Sequence, residues 1–235
     1  MKGKHMENDK NRGMDDLIKG LDELNISLNS KQIEQFMNYY ELLIEKNKVM
    51  NLTAITELSE VITKHFIDSL SIVKLYRPKN DKILDLGTGA GLPGIPIKIA
   101  FPDTKIVLMD SLRKRVMFLE EVIEILKLKN INALHGRAED FGREKNYREA
   151  FDLCTSRAVA KLSTLSEYCI PFVKSGGRFI PYKSGSISDE IQEAKKAIGI
   201  LGGSLIRTEE FNLPYSDIKR TLIPGFCFNR IKIRG

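Results

Sequence analysis

From Lys82 onward the chain alternates short apolar runs with longer stretches whose apolar residues recur every three or four positions. The runs at 82–86, 105–110, 131–135, 151–155 and 177–183 read as strands. Between them, Val116, Leu119, Ile123 and Leu126 mark one helical stripe, and Ile187, Ile191, Ala194, Ile198 and Leu201 mark another. Strands alternating with helices of this length predict βαβ units and a parallel sheet covered on both faces. Before Lys82 the pattern is helical. Leu17, Ile18, Leu21 and Leu24 share one face of a first helix. A second helix takes Asn29 or Ser30 as its cap and carries Ile33, Phe36, Met37, Tyr40, Leu43 and Ile44 on its apolar face. "NLTAIT" (51–56) reads as a loop, and two shorter helical stretches carry the chain through "HFIDSLSIVKLY". The expected organisation is a disordered polar leader (1–13), a helical extension (14–76) and an α/β core (77–235).

Composition narrows the class. A chain of 235 residues has room for one large α/β domain and a modest appendage. With 42% hydrophobic and 29% charged residues it matches a globular protein rather than a disordered one. No apolar run approaches the roughly 20 residues that span a bilayer, and the first residues are too polar for a signal peptide. A cytoplasmic protein without a membrane partner is expected. Its three cysteines, Cys154, Cys169 and Cys227, include no CxxC pair, so neither a disulfide framework nor a metal site is expected. The net charge of +6 is compatible with a polyanionic partner and says little more.

The chemistry starts at "DLGTGAGLPG" (85–94), between two apolar runs. A triphosphate loop needs GxxxxGK[ST], which is missing. A dinucleotide loop needs GxGxxG. Here Gly87, Gly89 and Gly91 are present, but Leu92 stands where the third glycine of that pattern would fall. Asp85, at the end of an otherwise apolar strand, would gain nothing beside a pyrophosphate. It suits the cationic methionine part of S-adenosylmethionine, directly or through water. Asp110 ends the second strand, where a carboxylate can accept from both ribose hydroxyls, and "HGRAEDF" puts Ala138 and Glu139 where adenine would lie. Asp110 and Glu139 also read as helix caps or first-turn acids. An acid before the loop, GxGxG and an acid ending the second strand together indicate a class I (Rossmann-like) S-adenosylmethionine-dependent methyltransferase core.

The segment after the fourth strand, "TSRAVA", has no Asn/Asp-Pro-Pro-aromatic turn for exocyclic amines and no catalytic aspartate for ribose hydroxyls. Cys154 lies inside an apolar strand, where it reads as a small buried hydrophobe. No general base is evident. A guanine N7 needs none, since its lone pair is available and no proton leaves on methylation. Arg157 is the candidate for positioning substrate or cofactor, or else forms a structural salt bridge.

"NLTAIT" with "HFIDSL", "DLGTGAGLPGIPIKIAFP", "DSLRKRVMFLE", "GRAEDF", "SRAVAKLSTLSEYCIPFVKSGGRFI" and "YKSG" closely resemble the bacterial small-subunit rRNA guanine-N7 methyltransferase family, also known as the glucose-inhibited division protein B family. The likeness runs over about 14–222. It implies methyl transfer from S-adenosyl-L-methionine to N7 of one guanine of 16S rRNA near the decoding site. The partner would be 16S rRNA, the small subunit or an assembly intermediate, and not DNA. Family cofactor contacts fall on Gly87, Leu92, Ala138, Glu139 and Arg157, to which the physical argument adds Asp85, Gly89, Gly91 and Asp110. Leu92 replaces a phenylalanine common in the family. Asn51, His65 and Asp68 match family positions and are expected to line the cleft, although His65 and Asp68 also read as helix capping and pairing. With Lys183, a candidate phosphate contact, Asn51 and His65 make up the RNA-binding candidates. His135 reads as structural. The chain departs from the family at "RTLIPGFCFNRIKIRG", where Pro224 and Gly225 would break the last strand. That departure motivates one alternative, a ribosome-assembly RNA-binding module impaired in turnover. A nicotinamide-dependent oxidoreductase is disfavoured by Asp85 and the glycine spacing.

Overall fold

The computed structural model describes residues 2–157, 160–184, 187–204 and 208–223, with only the backbone of 2–11. Five parallel strands form the body of the sheet: β1 (Lys82–Leu86), β2 (Lys105–Asp110), β3 (Ile131–His135), β4 (Phe151–Arg157) and β5 (Val173–Ser184). Two more, β6 (Glu209–Asn212) and β7 (Lys219–Leu222), follow at one edge, and β7 runs antiparallel to both β5 and β6. The spatial order is β3-β2-β1-β4-β5-β7-β6, the doubly wound, Rossmann-like arrangement. It reverses between β1 and β4, and a crevice therefore opens beyond the carboxyl ends of those two strands.

The nine α-helices of the described residues are α1 (Lys2–Glu23), α2 (Ser30–Met50), α3 (Leu58–Val61), α4 (Asp68–Leu70), α5 (Gly94–Ala100), α6 (Arg113–Ile125), α7 (Ala138–Phe141), α8 (Leu162–Cys169) and α9 (Ser188–Ile200). A π-helical turn at Ile62–Ile67 joins α3 to α4. Alternate strand residues face opposite layers. Ile83, Ile106, Leu108, Leu153 and Ile180 join one core with Leu17, Phe36, Phe66 and Ile95. Leu84, Val107, Cys154 and Phe179 join a second with Leu165 and Ile198. The helical extension is thus built into the first core.

The polar stretch expected to be a disordered leader is helical from Lys2, continuous with the Leu17–Leu24 stripe. Gly13 and Gly20 are buried where α1 crosses Leu58 and Ile67, whose side chains leave no room for a Cβ. β5 starts four residues earlier than its apolar run suggests, and β6 and β7 are too short and polar to stand out as strands. Pro224, Gly225 and Cys227 lie outside the described residues.

α2 docks the extension onto the core. Asn29 caps it in a capping box with Gln32, which also donates from Nε2 to Ile99 O at 2.7 Å. One turn on, Gln35 donates to Leu126 O (2.8 Å), and one more turn on the Tyr39 hydroxyl donates to Ala90 O (2.7 Å). Positions 32, 35 and 39 share a helix face, so one stripe ties three core segments. The buried tyrosine is Tyr39, whereas Tyr40, placed on the apolar face by its spacing, is half-buried. Tyr39 stacks on Phe66 with ring centroids 5.5 Å apart. Replacing Tyr39 with Phe keeps that stacking but leaves the Ala90 carbonyl without its donor. Urea unfolding is expected to show a loss of about 1–3 kcal/mol; an unchanged midpoint would refute the anchoring role.

Candidate active site

The glycine loop lies in the crevice at the β1 terminus. Asp85 is fully buried, and its Oδ2 accepts from the Thr88 hydroxyl (2.6 Å) and the Gly94 N–H (2.8 Å). Its Oδ1 is buried without a hydrogen-bond partner among the described residues. Burial raises this carboxyl from its ordinary 3.8 to about 7, against the opposing pull of the Thr88 and Gly94 donors. The loop is also tied to β2: Gly87 and Thr88 donate to Met109 O, and Gly89 N–H donates to Asp110 Oδ2 at 2.9 Å.

Two glycines show different requirements. A Cβ on Gly91 would collide with Ile95 and Leu119, so this glycine allows the loop to pack on the helices beneath. A Cβ on Gly89 would meet nothing within 4 Å, although the backbone there is left-handed (φ 61°). Gly89 therefore faces an open cradle in which a ligand can approach the backbone.

Two adjoining cavities share Gly87, Asp110 and Ser111. The first, of about 250 Å³, runs between Ala138 and Glu139 on one side and the apolar wall of Leu86, Met109 and Tyr168. The second, of about 370 Å³, lies over Thr88, Gly89 and Leu92 and reaches Thr53, His65, Arg115 and Arg157. These cavities bring together seven of the nine cofactor-binding residues expected from sequence. The other two, Asp85 and Gly91, line neither; they support the loop from below. Asp110 Oδ1 also accepts Leu112 N–H just before α6 begins. Arg115 approaches Asp110 Oδ2 at 3.3 Å. A flat apolar slot, a carboxylate at the β2 terminus and an open backbone cradle fit a nucleoside with a methionine-like arm.

A third cavity, of about 610 Å³, adjoins the second through shared walls of His65 and Arg157. Arg157, at the β4 terminus, donates to Lys64 O (3.1 Å) and Asp68 Oδ2 (3.2 Å), and its guanidinium lies 3.2 Å from His65 Nδ1, which is itself 3.0 Å from Lys64 O. Asp68 is buried, and its Oδ1 accepts from Arg220 Nε of β7 at 2.9 Å. One carboxylate thus orients two guanidinium groups. The His65 Nε2 lies 2.8 Å from Thr53 Oγ1. Burial, followed by the charge of Arg157, lowers His65 to about 4, so it is neutral at pH 7. The π-helical turn carries His65, and its end presents Asp68; such turns recur at functional sites.

Lys183 lines the third cavity with its Nζ already bonded to Ala160 O (2.6 Å) and Glu190 Oε1 (2.7 Å). Asn51 is the exposed, left-handed C-cap of α2 and lines none of the three cavities; Leu52 and Thr53 do so in its place. His135, expected to be structural, sits exposed beside Ser111 O. Thr53, Tyr168, Glu190 and Arg220 are site-lining residues that sequence reasoning missed. Thr53 lies within the quoted "NLTAIT" string, which was the available signal for it, and the others become neighbours only on folding. Among the described residues no three His, Cys, Asp or Glu side chains stand together as metal ligands.

Comparison with known proteins agrees with this geometry. The family described as GidB, rRNA small subunit methyltransferase G, matches residues 32–219. The chain is 56% identical over 216 residues to "Ribosomal RNA small subunit methyltransferase G" of Lachnoclostridium phytofermentans, covering 92% of this chain and 88% of that one. It is 52% identical to the protein of the same name from Acetivibrio thermocellus, covering 88% and 85%. Among solved structures, M. jannaschii TYW2 in complex with AdoMet shares the fold with a TM-score of 0.52 and 17% identity, over 65% of this chain and 70% of that one.

The loop generates two predictions. Gly89→Ala is expected to cost only about 1 kcal/mol of stability while weakening S-adenosylmethionine binding at least tenfold in calorimetry; Gly91→Ala should lower the melting temperature markedly. Similar behaviour of the two variants would contradict the division between cradle and packing. The second concerns pH. Asp85 titrates at about 7 when folded and near 3.8 when unfolded. Its contribution to stability is fully present below the lower value and is lost as pH rises through 7. Thermal melts should show a decline between about pH 4 and 7 that flattens in Asp85→Asn. An identical slope in the variant would assign the titration elsewhere.

Proposed function

This chain belongs to the rRNA small subunit methyltransferase G family, and we propose on that premise that it methylates N7 of a guanine in 16S rRNA near the decoding site, using S-adenosyl-L-methionine. The observation that carries the reading is the pair of walls, His65 and Arg157, common to the cavity over the glycine loop and the larger one beyond. A donor held on one side and an acceptor held on the other would meet there.

Asp110 would accept from the ribose hydroxyls. Ala138, Glu139 and the Leu86–Met109–Tyr168 wall would hold adenine, while Gly89 and Leu92 would border the methionine arm. When bound, the cofactor supplies a methyl on a cationic sulfur, so transfer to N7 moves positive charge to the base and releases no proton. The chain therefore has to align and to exclude water rather than to act as a base. Its site residues match that task. His65 is neutral with neighbours at both ring nitrogens, and Arg157 is held by Lys64 O and Asp68. Arg157 would donate to guanine O6 through one N–H, leaving N7 to the methyl donor.

The acceptor is RNA; the small subunit or an assembly intermediate is the form proposed. No helix among the described residues is long and apolar enough to cross a membrane, and a cytoplasmic setting follows from the proposed substrate. The alternative of an RNA-binding module impaired in turnover is not favoured. The altered end that motivated it lies outside the described residues, and the relatives are named as methyltransferases.

Small ribosomal subunits lacking the modification, incubated with labelled S-adenosylmethionine, should take label at one guanine, mapped by cleavage at 7-methylguanosine. Label at another atom or on another RNA would overturn the reading.

A further inference from the structure

The acceptor cavity holds two carboxylates, and they differ in what they have left to offer. Asp68 has both oxygens occupied, Oδ2 by Arg157 and Oδ1 by Arg220. Glu190, in the first turn of α9, directs only Oε1 to the protein, where it accepts from Lys183 Nζ (2.7 Å) and Leu162 N–H (2.5 Å). Its Oε2 makes no hydrogen bond among the described residues. Glu190 lines the large cavity and not the one over the glycine loop. Among the described residues the carboxylate is thus held through one oxygen, paired there with Lys183, and has no partner at the other.

A guanine lodged in this cavity has to turn N7, and with it O6, toward the walls shared with the cofactor side. Its opposite edge then carries the N1–H and the N2 amino group, both donors. Adenine at the same edge presents a ring nitrogen acceptor, which a carboxylate repels. Resting on the methyltransferase reading above, we infer that Glu190 is the specificity-determining residue for the acceptor base, accepting from the N1–H and N2 amino donors of guanine. Lys183 is then the positioning residue that aims this carboxylate, rather than a phosphate contact. In this arrangement Arg157 reads O6, Glu190 reads the far edge, and N7 is left without a protein partner.

The test compares two proteins on two substrates. Wild type and Glu190→Gln are assayed for methyl transfer to small-subunit particles assembled on RNA with either guanine or inosine at the target position. Inosine lacks only the N2 amino group. Wild type should lose about 10- to 100-fold in kcat/KM on inosine, the range of one good base-edge contact. Glu190→Gln should lose a similar factor on guanine, and its preference for guanine over inosine should shrink toward unity. Calorimetric affinity for S-adenosylmethionine should be the same in both proteins, which would show the variant to be folded. A variant that keeps the wild-type guanine-to-inosine ratio, whatever its absolute rate, would overturn this inference alone. No transfer by wild type to either particle would overturn the methyltransferase reading and this inference with it.

Discussion

Asp85 is ionisable, sealed from water and bonded through a single oxygen, so the two groups that donate to it, the Thr88 hydroxyl and the Gly94 N–H, are held firmly in place. A buried carboxylate that lost either donor would face a desolvation cost with even less to offset it. The ends of the glycine loop are therefore fixed relative to β1. Its middle is fixed separately, by Met109 O, by Asp110 and by the Tyr39 hydroxyl on Ala90. Both cavities over the loop depend on this restraint, because they share Gly87 together with Asp110, which accepts from the loop at Gly89.

Much of this is legible in the sequence. The parallel strands stand out because burial on both faces leaves little room for polar residues. Asp110, Ala138 and Glu139 are readable because strand termini in this topology converge on one crevice. Asp85 stands out as an acid where only apolar residues belong, yet its partners are the loop's own donors. Tyr39 and Tyr40 are neighbours in sequence, and the roughly 100° between successive helical residues decides which is buried. Glu190 and Arg220 carry no local signal. Arg220 is 152 positions from the carboxylate it binds, and only the edge strand β7 brings them together.

Charge pairs orient the polar side chains of the large cavity. Asp68 pairs two arginines that would otherwise repel one another, and Lys183 pairs with Glu190. Such pairs give little net stability where solvent reaches them, but they fix orientation. Orientation is what an alignment-driven transfer needs from its protein.

The place of Arg220 on β7 also bears on how the protein is made. Asp68 and Arg157 emerge from the ribosome well before the strand that completes their cluster, and β7 must insert between β5 and β6 to deliver the second guanidinium. During synthesis the glycine loop and its nucleoside slot can form first, as local βαβ units do. The large cavity, whose lining includes Arg220, is completed last. A nascent chain can thus form its glycine loop before that cavity has all of its walls.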